Sequence, residues 1–246
     1  MRGPRSLRPV VLAVILGLGA APLRAQISPD SLGWHFVGNL GYVQTSGNTQ
    51  LSTVNIADRL TFRPSQQWTF AQTAAWVYGY NDSTETANQL LAGLRADRNL
   101  GPRFSVYALA GYERNPFAGI ERRFDEGFGL SWKAVTAPKH RLSLDLGIGN
   151  NQQVTGGVST SFFVARVAPR YRFNITDKAY FEESLEFLEN LDDTGDLRTA
   201  SNTVLVAPLT GSIALRFGYQ MRYDAEPVPG FKKLDTTFTS GVQLSL

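Results

Sequence analysis

Ile213-Ala214-Leu215-Arg216-Phe217-Gly218-Tyr219-Gln220-Met221-Arg222-Tyr223 alternates without a break. Odd positions are large and apolar; even positions are small, polar or cationic. Successive side chains on a β-strand point to opposite faces, so this stretch makes a ribbon with one greasy side and one charged side. The pattern recurs. Leu142, Leu144, Leu146 and Ile148 alternate with Ser143, Asp145, Gly147 and Gly149, while Phe128, Leu130 and Trp132 alternate with Gly127, Gly129, Ser131 and Lys133. Turn-forming clusters divide the chain into about twelve such runs. They fall near 34–45, 51–62, 67–80, 88–99, 103–114, 122–135, 140–150, 161–173, 178–190, 198–207, 211–224 and 234–246. The acidic run Phe181 to Leu191 is the most helix-like part, and strand is the favoured reading there too.

The connections alternate in kind. Arg63 to Gln66, Gly101-Pro102, Ala137 to Lys139, Asn174 to Asp177 and Ala207 to Thr210 are short. Asn81 to Ala87, Asn115 to Glu121, Asn150 to Ser159, Asp192 to Leu197 and Ala225 to Lys233 are longer and polar; Thr45 to Gln50, the first of that series, is shorter than most of them. Short turns at one end and longer loops at the other characterise outer-membrane barrels. Aromatic residues gather near strand ends: Phe62, Trp68, Trp132 and Phe173 by the short turns, Tyr78, Tyr80, Tyr112 and Tyr223 by the loops. That is the distribution of an interfacial girdle.

The N-terminus fits this location. Arg2, Arg5 and Arg8 precede the apolar run Val10 to Ala21, and Leu23-Arg24-Ala25 offers a cleavage point before Gln26. This order reads as a secretory signal peptide over 1–25, leaving one domain over 26–246. Its removal takes four arginines and no acid, so 24 basic and 21 acidic residues become 20 and 21, a net charge of −1. The high isoelectric point therefore does not point to nucleic acid. No cysteine is present, which excludes thiol chemistry. No apolar run after Gln26 is long enough for a spanning helix. A membrane location then requires a closed barrel, where strand pairing satisfies every backbone group. The fold expected is an all-β, transmembrane, antiparallel up-and-down barrel of about twelve strands in the outer membrane. A soluble β-sandwich, secreted or periplasmic, is the alternative that alternation alone does not exclude.

With apolar residues toward lipid, the charged ones line the interior. Arg166, Arg170 and Arg172 lie on the inner face of one run, and Glu182 and Glu186 on that of the next. Arg123 and Asp125, Arg141 and Asp145, and Arg216 and Arg222 extend the set. Pairing of Arg170 with Glu182 is expected from their place on neighbouring runs. The near-equal numbers of both signs favour a neutralising network that stiffens the barrel over a single-sign wall that guides solute.

Catalytic signatures are sparse. A lipid- or lipopolysaccharide-modifying barrel would need a general base near the external loops, and the two histidines, His35 and His140, fall at the short-turn end. Two histidines without cysteine make no transition-metal site, and no cofactor is expected. Glu189, Asp192, Asp193 and Asp196 could hold calcium, though their spacing fits no calcium loop. Asn174-Ile175-Thr176 reads as turn chemistry.

Gly41-Tyr42-Val43-Gln44-Thr45-Ser46-Gly47-Asn48-Thr49-Gln50, followed by a strand through Arg59 to Phe62, resembles the YdiY-like family of salt-induced outer membrane proteins. Arg95 to Arg98, Gly127-Phe128-Gly129-Leu130 and the strand-terminated C-terminus are similar to that family's pattern. Thr239-x-Gly241-x-x-Leu244-x-Leu246 resembles the C-terminal signal read by the barrel assembly machinery. The resemblance implies an outer-membrane barrel in contact with lipid and lipopolysaccharide, and it brings no catalytic residues. A small-solute channel or an envelope-integrity protein is the expected function.

Overall fold

The computed structural model describes residues 31–45, 51–81 and 84–246. The segment read as a signal peptide and the connection read over Ser46 to Gln50 lie outside them. Twelve strands follow in order: β1 (Gly33–Thr45), β2 (Leu51–Arg63), β3 (Trp68–Asn81), β4 (Thr84–Asn99), β5 (Phe104–Asn115), β6 (Ile120–Thr136), β7 (His140–Thr155), β8 (Val158–Asn174), β9 (Tyr180–Asn190), β10 (Leu197–Pro208), β11 (Ile213–Asp224) and β12 (Leu234–Ser245). Each pairs antiparallel with its sequence neighbours, and β1 pairs with β12 to close the barrel. The closing register runs Val37↔Ser245 to Leu40↔Val242, and Phe36 and Leu246 exchange backbone hydrogen bonds of 2.9 Å just beyond it. Of the helix-like stretch Phe181 to Leu191, all but Leu191 belongs to β9 as strand.

The barrel is apolar outside and polar inside. Phe238, Trp34, Leu94, Phe128 and Phe163 are all more than 60% exposed. Buried side chains include Glu113, Arg123, Asp145, Asn151, Arg198 and Gln243, beside an apolar cluster of Val204, Val206 and Ala214. A two-layer sandwich would hide Leu215, Phe217 and Tyr219 between its sheets; here they are open to the outside. An apolar surface of this extent on a closed barrel is the lipid-facing band of a membrane protein, which rules out the soluble sandwich. Exposed rings pair along it, with Trp34 stacked on Phe62 at 4.3 Å and Trp68 on Phe70 at 5.7 Å. Glu183 is an outward exception; it accepts a 2.6 Å hydrogen bond from Thr203, its cross-strand neighbour.

The loop expected over Asn150 to Ser159 is not a loop. β7 and β8 run on and turn through Gly156 and Gly157, whose φ values of 56° and 77° suit glycine in a two-residue hairpin. Asn115 to Glu121 is likewise reduced to one 3-10 turn, Pro116–Ala118. The backbone keeps its ladder above the lipid, where outward side chains no longer need to be apolar. Ala225 to Lys233 does form a loop, closed by a 2.9 Å hydrogen bond from Asp224 N to Lys233 O.

Two seams are lined by inward glycines. Gly129 faces Gly147 and Gly127 faces Gly149 between β6 and β7. At Gly129 an added Cβ would meet the Leu146 carbonyl and lie 2.6 Å from Gly147 Cα. Gly41 and Gly241 play the same part between β1 and β12, six strands away. The sheet turns more tightly at these two places than a side chain permits.

Candidate functional site

The lumen is the candidate site, and its charged side chains form layers. In the middle layer Arg95 on β4 holds Asp97 with two fork bonds, Nη2 to Oδ1 at 2.7 Å and Nε to Oδ2 at 2.9 Å. Its Nη1 donates to Asp145 on β7 at 2.6 Å, three strands away. Asp145 also accepts from Arg166 at 3.5 Å, and Arg166 donates to Glu186 at 2.6 Å and to the Tyr107 hydroxyl at 3.1 Å. The Tyr107 ring lies beneath Arg95, 4.2 Å from its guanidinium carbon, and its hydroxyl fills the space left by Gly129 and Gly147. The bare glycine wall is therefore what admits a tyrosine and two arginines to one level of the barrel.

Nearer the external end, Glu113 on β5 is paired with Arg222 on β11, on the opposite wall of the barrel. The second Glu113 oxygen accepts from Arg222 Nη2 at 2.7 Å and from Arg123 Nη1 at 3.3 Å. Arg123 Nε donates to Gln153 at 3.0 Å. Asp125 accepts from Asn151 at 2.6 Å. This strap crosses the lumen, and the Pro116–Ala118 turn and the Ala225 to Lys233 loop sit around it. Charged forks closing on one carboxylate in a water-poor space make a stiff cross-brace.

At the short-turn end Arg172 lies 3.5 Å from Glu182, 3.0 Å from Asn174 Oδ1 and 3.6 Å above the Tyr180 ring. The expected Arg170–Glu182 pair is not formed. The register sets Arg172 opposite Glu182 and Arg170 opposite Ser184. Arg170 and Arg216 have no ion pair or hydrogen bond among the described residues, and Arg141 lines the same end of the lumen. Arg59, Arg95, Asp97, Tyr107, Glu113 and Arg198 belong to this interior without having been assigned to it from the sequence. Each sits at the inward phase of its strand, which alternation alone could have given.

Three cavities follow one another along the lumen. The one at the short-turn end is about 610 Å³; it shares Arg59, Arg95 and Arg170 with a middle cavity of about 340 Å³. The middle one shares Asp125, Glu186 and Leu188 with an outer cavity of about 120 Å³ below the loops. The cavity volumes fall toward the external end, and the smallest of the three is lined by the Glu113–Arg222 strap.

Both histidines lie at the short-turn end. His140 Nδ1 is 2.8 Å from the Tyr171 hydroxyl. His35 Nε2 is 3.2 Å from Ser31 Oγ but donates to the Ser31 carbonyl at 2.9 Å, so that nitrogen carries its proton and is no base for the serine. In the acidic segment 189–196, Glu189 lies on β9 and the rest beyond Asn190 is bends and turns: Asn190 donates to Asp196 at 3.1 Å and Gly195 N to Asp193 at 3.0 Å. Among the described residues no group of three or more metal-ligating side chains converges. At Asn174-Ile175-Thr176 the hydroxyl of Thr176 accepts from Ala179 N at 2.9 Å, which is turn chemistry.

Solved structures with this architecture include the NanC porin, with a TM-score of 0.56 at 13% identity over 86% of this chain and 100% of that one. The translocator domain of the autotransporter NalP from Neisseria meningitidis gives 0.48 at 11% identity, over 87% of this chain and 88% of that one. The KdgM porin gives 0.47 at 9%, over 86% and 99%. At such identities the NanC likeness speaks for the fold, an outer-membrane barrel, which is what the outward apolar band requires on its own. No curated protein matches the sequence. Residues 38–245 match one family profile, covering every strand but the first few residues of β1, and the chain belongs to that family, described as protein of unknown function, DUF481.

Proposed function

We propose that the chain is a narrow, non-enzymatic outer-membrane channel for small solutes, braced by its own charge network. The observation that carries this reading is the string of three cavities, each sharing wall residues with the next, from the turn end to the external loops. A barrel filled for rigidity alone would pack that space with side chains. NanC, the structure of like fold, is itself named a porin. In the same reading the outward face meets lipid and lipopolysaccharide, and the barrel assembly machinery reads the last strand. Placement among YdiY-like, salt-induced envelope proteins rests on Gly41 to Gln50. Purified protein in planar bilayers is expected to give discrete conductance steps, smaller than those of a wide sixteen-stranded porin. A membrane that stays silent after verified insertion would replace the channel with an envelope-stiffening role.

A further inference from the structure

The two signs of charge balance over the whole lumen but not along it. The outer cavity is lined by five basic side chains (Arg123, Arg198, Arg222, Lys232, Lys233) and five acidic ones (Glu113, Asp125, Glu186, Asp224, Asp235). The large cavity at the turn end has seven basic side chains and only three carboxylates, Asp97, Asp145 and Glu182. All three are already held: Asp97 by Arg95, Asp145 by Arg95 and Arg166, Glu182 by Arg172. Arg59 on β2 and Arg170 on β8 are left over. Neither has an ion pair or hydrogen bond among the described residues, both are open to lumen solvent, and both line the turn-end and the middle cavity. They stand close enough for their charges to act on each other. Glu182 and Asp97 also act on Arg59, but each already holds another arginine, so neither Arg59 nor Arg170 has a carboxylate of its own.

We propose that the junction between the two lower cavities binds a small hydroxylated organic anion, with Arg59 and Arg170 as its carboxylate-binding forks. The inference rests on the solute-channel reading and gives it a substrate class. A guanidinium presents parallel N–H donors that match a carboxylate. The rest of the turn-end wall offers accessible hydroxyls, with Ser65, Thr69, Thr136 and Ser143 as partners for the hydroxyls of such a solute. A volume of about 610 Å³ accommodates a molecule of metabolite size.

Calorimetric titration of the detergent-solubilised full chain with citrate tests this, with glucitol as a neutral polyol and inorganic phosphate as a non-organic anion. Citrate is expected to bind, glucitol to give no heat, and phosphate to bind more weakly. Arg59→Gln and Arg170→Gln should each weaken citrate at least tenfold, while Lys178→Gln, in an exposed turn, should leave it unchanged. Arg59→Lys and Arg170→Lys, which keep the charge but not the fork, should fall between and serve if a Gln variant does not fold. No citrate binding by the unaltered chain, equal affinity in the variants, or phosphate binding as tightly as citrate would each overturn the proposal. Calorimetry reads binding whether or not the barrel conducts. A barrel that takes citrate yet stays silent in the bilayer would remove the channel and keep the site.

Discussion

Replacing Gly129 by valine is expected to prevent the barrel from assembling. The added Cβ alone would press on the Leu146 carbonyl and on Gly147 Cα, 2.6 Å away, with the Tyr107 hydroxyl at 2.8 Å. Tyr107 could swing aside, but the β7 backbone is held by its ladder to β6 and β8 on both sides. Overpacking a site that can relax costs about 1–3 kcal/mol. A site walled by paired backbone should exceed the upper end of that range. The folded fraction, read from heat-dependent gel mobility after refolding into detergent, should fall close to zero. Tyr107→Ala in the same background should not restore it, because the backbone contacts remain. A Gly129→Val chain that folds in normal yield would mean that the seam is not tight.

Glu113→Ala should be the most damaging loss of a single charge. It strips the counter-ion from both Arg222 and Arg123, the second of which is buried with the carboxylate itself. Breaking a buried pair by removing one partner costs about 3–5 kcal/mol, because the charge left behind is uncompensated. Urea unfolding in detergent should show a loss of that order. In a double-mutant cycle, Glu113→Ala with Arg222→Ala should cost less than the sum of the two single changes. The variant should also conduct more than the unaltered barrel, since the strap that crosses the lumen is gone. Additive losses with unchanged conductance would show that the strap neither couples the two walls nor limits the pore.

The strands were legible because two signals agree at each of them, alternation within the run and turn formers at its ends. The run read at 211–224 is β11, Ile213–Asp224, and the run read at 51–62 is β2, Leu51–Arg63. The outer ends of strands were not legible. Asn150-Asn151-Gln152-Gln153 looks like loop composition, yet it is strand, because above the hydrocarbon both faces are polar while backbone pairing continues. The inward phase of the charged residues could be read, but not their partners. Register decides whether Arg170 or Arg172 meets Glu182, and a shift of one pair is invisible in composition. Glu113 and Arg222 are 109 residues apart on opposite walls, so no argument from neighbouring strands could join them. The inward glycines read as mere gaps in a pattern; their use, tight curvature and room for Tyr107, exists only once the sheet is closed.

Everything rests on the leucine- and aromatic-bearing side of each strand touching lipid while the arginine-bearing side faces water within. The chain has no cysteine, so single cysteines can be placed at successive positions from Ala214 to Met221 and spin-labelled in bilayers. Labels at 215, 217, 219 and 221 should collide with dissolved oxygen and be shielded from a water-soluble nickel chelate; labels at 214, 216, 218 and 220 should do the reverse. The opposite phase, or nickel access at every position, would contradict the account.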